Sequence, residues 1–163
     1  MITLVLGGAR SGKSAVAEAR AREAGGGVTY LATARPLADD ADWAARIEAH
    51  RARRPASWTT LEAWGTELGP ILARATGTVL VDSLGTWVAG HDDLDPDPAP
   101  VLAALVARAG TTVVVSDEVG WGVHPATEVG RRFRDVLGEV NQAVAAVADE
   151  VVLVVAGRTL RLG

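Results

Sequence analysis

One lysine occurs in this chain, and it stands inside a phosphate-binding pattern. Residues 7–14 read Gly7-Gly8-Ala9-Arg10-Ser11-Gly12-Lys13-Ser14, a full G-x-x-x-x-G-K-[ST] match. Every other basic residue is arginine, so Lys13 resists a strong compositional preference. Before the pattern, Ile2 to Leu6 is a short apolar, β-branched run that predicts a buried strand. After it, Ala15 to Ala24 predicts a helix. Strand, glycine-rich loop and helix are the context this pattern needs. Glycine lets backbone N–H groups converge on a phosphate. The helix N-terminus adds a favourable dipole. Lysine brings a compact point charge to the outer phosphates, and the Ser14 hydroxyl is placed to hold Mg²⁺. Such a start commits the chain to a layered α/β fold.

A length of 163 residues suits one domain, and residues 1–163 are expected to form one. Apolar residues make up 48% and charged residues 22%, which supports a packed core. The chain has no cysteine, which excludes disulfides, thiolate metal sites and a cysteine nucleophile. No apolar run is long enough to span a membrane, and the N-terminus enters a strand directly. A cytoplasmic protein without membrane insertion is expected. The formal net charge of −4 argues against a nucleic-acid partner held by bulk electrostatics.

Strand-like and helix-like segments alternate. Strands are predicted at Val28–Ala32, Trp58–Leu61, Thr78–Val81 and Thr111–Ser116. Helices are predicted at Asp39–Arg53, Thr66–Ala75, Val101–Ala109 and Thr127–Ala148. Val151–Val155 and Arg158–Leu162, joined by Ala156-Gly157, predict a closing hairpin. Continuous apolar strands separated by helices indicate a parallel sheet covered on both faces. The fold class is therefore a P-loop NTPase, RecA-like, with a mostly parallel sheet, helices on both faces and a C-terminal β-hairpin.

Two further residues carry chemistry. Asp82 ends the strand Thr78–Val81, where P-loop proteins place a carboxylate that orients Mg²⁺. The ordinary alternative is a strand-end acid with no ligand. His50 shares a helical face with Arg46 and with Arg53 or Arg54. Cations beside a histidine disfavour its protonated form, and a neutral imidazole is a nucleophile. The alternative is a solvated histidine on an arginine-rich helix. His91 and His124 have no evident partner and read as loop residues. The five tryptophans read as packing or subunit-interface residues, or as part of a surface for a large ligand.

With these residues in view, the chain resembles the bifunctional adenosylcobinamide kinase / adenosylcobinamide-phosphate guanylyltransferases of cobalamin biosynthesis. Nearly the whole chain carries the likeness. It runs from Leu4 through Ser14, Tyr30-Leu31-Ala32-Thr33-Ala34, Arg46 to Pro55 and Trp58 to Glu62. It continues in Val81 to Trp87, Asp117 to Pro125 and Phe133 to Gln142. The phosphate loop together with R-I-x-x-H-x-x-R-R-P is the specific part. The resemblance implies two steps: a nucleoside triphosphate phosphorylates the aminopropanol hydroxyl of adenosylcobinamide, then GTP transfers GMP to that phosphate through a guanylylated histidine. His50 matches that histidine. Lys13 is the other catalytic expectation.

By the same comparison, nucleotide contacts are expected from Gly7, Gly8, Ala9, Arg10, Ser11, Gly12, Lys13, Ser14, Thr33, Ala34, Arg35, Arg51, Ala52, Arg53, Arg54, Glu62 and Asp82, and metal contacts from Ser14 and Asp82. Glu62 could read the guanine N1 and N2 donors, since a carboxylate accepts two parallel hydrogen bonds; an exposed surface glutamate is the alternative. GTP, ATP or both serve as substrates with Mg²⁺, and a homotrimer is expected. Asp117 stands where many relatives carry Asn, which adds a negative charge near the expected phosphate site, and the Trp87–Gly110 segment is shorter than in some. Two other readings compete. A small-molecule kinase would use the P-loop without a nucleophilic His50. A GTP-binding regulatory protein would read guanine with N-K-x-D, which a chain whose one lysine already serves phosphate cannot supply.

Overall fold

Seven strands build one sheet in a computed structural model that describes residues 1–35, 45, 47–48, 51–52 and 54–162. The strands are β1 (Ile2–Gly7), β2 (Val28–Ala32), β3 (Thr59–Glu62), β4 (Thr78–Asp82), β5 (Thr112–Asp117), β6 (Glu150–Val155) and β7 (Arg158–Arg161). Their spatial order is β3-β2-β4-β5-β1-β6-β7. All neighbours are parallel except β6 and β7, which form the antiparallel hairpin. The described helices are α1 (Lys13–Glu23), α2 (Leu68–Arg74), α3 (Leu84–Ala89), α4 (Ala99–Ala107) and α5 (Glu128–Val147), with a 3-10 turn at Gly65–Glu67.

Alternation along each strand divides the core into two layers. Leu4, Leu6, Leu31, Val79, Val81, Val114 and Leu153 face one side, where they pack with Leu68, Leu72, Trp87, Leu105 and Leu137 of the later helices. Val5, Tyr30, Leu80, Val113, Val115 and Val154 face the other side, against Ala17 and Ala21 of α1. Two alanines on the inner face let α1 lie close to the sheet, which brings the loop before it near the strand ends. The longest helix buries Leu137, Val140, Asn141 and Val144, a three-to-four-residue spacing that keeps one stripe inside. Truncating Leu137, fully buried, to alanine would cost about 2–5 kcal/mol.

The expected P-loop architecture, with helices on both faces and a closing hairpin, is the one observed. Element ends move by one to three residues. β5 runs on to Asp117, and β3 begins at Thr59 and ends at Glu62. α4 begins at Ala99, where Asp97 Oδ1 accepts the Ala99 N–H at 2.9 Å, and stops at Ala107. The helix expected from Thr66 opens instead as a 3-10 turn. Of the helix expected over Asp39–Arg53, the described residues Ala45, Ile47, Glu48, Arg51 and Ala52 are helical; the others, His50 and Arg53 included, lie outside the described residues.

α3 was not expected at all. Six residues are too few for apolar periodicity to show. Its signal is the capping box: Ser83 accepts the Thr86 N–H, and Thr86 Oγ1 accepts the Ser83 N–H at 3.2 Å.

Candidate active site

The carboxyl ends of the parallel strands open onto one face, where α/β proteins of this kind bind ligands. β1 delivers the chain into the phosphate loop there. Arg10 and Gly12 adopt positive φ values of 57° and 94°, the second typical of glycine. A Cβ on Gly7 would lie 2.9 Å from the Val154 carbonyl oxygen, so the loop leaves β1 too close to β6 for any side chain. The turn between β6 and β7 holds the loop from outside. Ala156 and Gly157 both have positive φ, as a two-residue hairpin turn requires, and Gly157 N–H donates to the Ser11 carbonyl at 2.8 Å.

Lys13 opens α1 and is 8% exposed. Its ammonium donates to the Gly8 carbonyl at 3.3 Å and pairs with Asp117 Oδ1 at 2.8 Å. Asp117 was not among the expected site residues. Register explains its place: β5 is the immediate neighbour of β1, and Asp117 is paired with Gly7. Asp82 ends β4, one strand further out. The strand-end rule that singled out Asp82 applies equally to Asp117, whose strand was expected to end one residue earlier. The other Asp117 oxygen accepts from Ser83 Oγ at 3.4 Å, and Asn141 Nδ2 donates to its backbone carbonyl at 3.1 Å.

Asp82 is held differently. It accepts a hydrogen bond from the Tyr30 hydroxyl. Burial, then the Asp82 charge and this hydrogen bond, push the Tyr30 hydroxyl well above its ordinary pKa, outweighing the opposite pull of Arg54. The Arg54 guanidinium lies over the Tyr30 ring, 3.5 Å from its centroid. Its Nη1 donates to Thr60 Oγ1 at 3.4 Å, while its buried Nε has no protein partner.

A cavity of about 640 Å³ connects these groups. Ala9, Lys13, Ser14, Ala34, Arg51, Arg54, Glu62 and Asp82 line it, and so does Asp117. Thus Lys13 sits with Glu62 and Arg54, which are far apart in sequence. Gly7, Gly8, Arg10, Ser11 and Gly12 shape the loop without lining the cavity. Thr33 is fully buried; its hydroxyl donates to the Ser83 carbonyl at 2.6 Å and meets Thr86 Oγ1 at 2.6 Å. It therefore supports the wall rather than offering a group to a ligand. Arg35 stands in a neighbouring cavity, 3.6 Å from Asp92 and over the Trp64 ring. Ala52 is exposed and does not line the cavity. Both remaining histidines do have partners: His91 Nδ1 lies 2.9 Å from the Trp87 carbonyl, and His124 Nδ1 lies 3.0 Å from Arg134 Nη1.

Lys13 and the strand-end carboxylates face a cavity large enough for a nucleotide. The sequence model of the cobinamide kinase / cobinamide phosphate guanyltransferase family matches residues 3–162. The chain belongs to that family. This family member is 42% identical over 171 residues to the bifunctional adenosylcobalamin biosynthesis protein CobP of Pseudomonas aeruginosa, an alignment covering 99% of this chain and 97% of that one. It is 39% identical to the bifunctional adenosylcobalamin biosynthesis protein CobU of Salmonella typhimurium, covering 96% of this chain and 97% of that one. CobU of Escherichia coli K12 is also 39% identical, with the same coverage. The kinase and guanylyltransferase implied by resemblance are the two activities in the family's description, so that expectation is met. The fold is shared more widely. A type III secretion ATPase superposes with a TM-score of 0.52 at 12% identity, over 93% of the family member and about half (50%) of the ATPase chain. No helix among the described residues is long and apolar enough to cross a membrane.

Proposed function

We propose that this cobinamide kinase / cobinamide phosphate guanylyltransferase works in two steps at the cavity around Lys13. In the first, the adenosylcobinamide hydroxyl attacks the γ-phosphorus of a nucleoside triphosphate, its proton is lost, and the diphosphate leaves. In the second, a His50 nitrogen attacks the α-phosphorus of GTP and pyrophosphate leaves. A phosphate oxygen of adenosylcobinamide phosphate then attacks the histidine-bound phosphorus. The P–N bond breaks, the imidazole is regenerated, and the GMP ester forms. The observation that supports this most is that one cavity contains Lys13, Arg51, Arg54 and Glu62. A phosphate-binding lysine and a candidate base-reading carboxylate thus line the same cavity.

In this reading Lys13 and the amides of residues 7–14 hold the phosphates, Arg51 and Arg54 neutralise charge, and Glu62 accepts from the guanine edge. Ser14 and Asp82 supply hard oxygen donors on the same cavity wall, which suits Mg²⁺. When bound, the ion would neutralise charge on the triphosphate. Residues 1–163 act as one domain in the cytoplasm, and the assembly is a homotrimer; light scattering showing a monomer over a wide concentration range would refute the assembly. The deciding experiment incubates the protein with α-labelled GTP and weighs the denatured chain. A GMP adduct that is acid-labile and alkali-stable, present in wild type and absent in His50→Ala, is expected. An adduct retained by His50→Ala would contradict the role of His50.

A further inference from the structure

Beside the nucleotide cavity lies a second one of about 610 Å³, and the two share Thr86 and Ala89 of α3 as a common wall. Residues 7–14 do not line this second cavity. Its wall carries the carboxylates of Asp92, Asp93 and Glu128 and the guanidinium groups of Arg35 and Arg132, with apolar surface from Leu94 and Val129.

The wall is pre-built. Arg132 Nε donates to the Asp93 carbonyl at 2.8 Å, and its Nη2 pairs with Asp95 at 2.9 Å. Asp95 N–H donates to Asp93 Oδ1 at 3.1 Å. Leu94 is held at φ 54°, a left-handed conformation that costs a residue with a branched side chain about 1–2 kcal/mol. Strain of this kind persists where surrounding contacts fix a shape. His91 completes the wall. Its Nδ1 lies 2.9 Å from the Trp87 carbonyl, which only accepts, so Nδ1 carries hydrogen and donates. The His91 ring also stands edge-on to Trp87, 5.3 Å between centroids.

We propose that this second cavity is the docking site of the hydroxyl acceptor. The proposal rests on the kinase reading above. In-line transfer brings the acceptor to the γ-phosphorus from the side opposite the leaving diphosphate, so acceptor and nucleotide need adjoining sites. Two cavities meeting at Thr86 and Ala89 provide this. Carboxylates and guanidinium groups side by side suit a bulky alcohol that presents both hydrogen-bond donors and acceptors, with Leu94 and Val129 against its apolar surface.

Val129 is 67% exposed, so Val129→Trp puts bulk into the cavity at a position outside the core. Asp92→Arg, at a side chain 99% exposed, reverses one wall charge. Equilibrium dialysis would measure binding of adenosylcobinamide, followed by its visible absorbance, to wild type and both variants. In parallel, GTP affinity and the GMP adduct formed with GTP alone would be measured. Acceptor binding should weaken at least about tenfold in each variant, with GTP affinity and adduct within about twofold. Unchanged acceptor binding in both variants, or an equal loss of GTP binding, would overturn the assignment. If wild type itself bound no adenosylcobinamide while forming the adduct, the kinase reading, and the subsite with it, would fall.

Discussion

Lys13 Nζ lies 2.8 Å from Asp117 Oδ1, so the ammonium that would meet a phosphate is held by a carboxylate on the strand next to the phosphate loop. A triphosphate must compete with that carboxylate. Side-chain exposures of 10% and 27% keep the pair only partly screened. Asp117→Asn should therefore tighten Mg²⁺-free GTP binding by about fivefold, on about 1 kcal/mol for the lost competition. Calorimetry at low salt is the measurement, and weaker binding would show that Asp117 helps to hold the nucleotide.

Removing the ammonium tests the other half of the pair. Lys13→Ala should abolish both triphosphate-dependent steps while circular dichroism stays unchanged, because the amine contacts polar groups and not the core. Lys13→Arg should also be poor, since a longer planar guanidinium cannot replace a point charge. Normal kinase turnover in either variant would end the P-loop assignment.

Glu62 is exposed on the cavity wall. Guanine presents two donors to it, whereas adenine presents an acceptor at N1. A charged hydrogen bond lost from a bound complex costs about 1.5–3 kcal/mol, roughly 10- to 150-fold in affinity. Glu62→Gln should narrow the GTP-over-ATP ratio of adduct formation at matched Mg²⁺. An unchanged ratio would move guanine recognition elsewhere.

Tyr30 is the one tyrosine in the chain, which makes its ionisation directly visible. Its pKa in the fold is raised by burial and by Asp82. The unfolded chain ionises at about pH 10. The stabilisation is thus complete below about pH 10 and is lost as pH rises toward the folded value, because only the unfolded state then releases the proton. Tyrosinate absorbance near 295 nm should rise together with the loss of circular dichroism, not before it. A tyrosinate signal at about pH 10 in an intact fold would contradict the Tyr30–Asp82 hydrogen bond.

Much of this architecture was legible because its signals are local. The β1 run, the glycine spacing and Lys13 fall within fourteen residues, and Ala156-Gly157 marks its hairpin by turn chemistry alone. The pairing of Asp117 with Lys13 was harder to read. It depends on β5 lying beside β1, a pairing between residues more than a hundred positions apart, and sheet order is not written in any one strand. α3 escaped for a different reason: a six-residue helix is specified by a capping pair and by burial of Leu84, Trp87 and Val88, not by a repeat. Thr33 matches the family motif, but only the fold shows that its hydroxyl is consumed by Ser83 and Thr86.

The pairing of β1 also bears on the order of events during synthesis. β1 has both neighbours, β5 and β6, more than a hundred residues later in the sequence. The loop that follows it is fastened by Gly157, later still in the sequence. A growing chain on the ribosome can therefore carry the whole glycine-lysine pattern and still have no nucleotide site, because the strands that flank it do not yet exist. Closure over such sequence separations is slow. Nucleotide can thus stabilise this fold only once β5 and β6 have been made, and a chain cut short before Glu150 would leave β1 without its β6 neighbour.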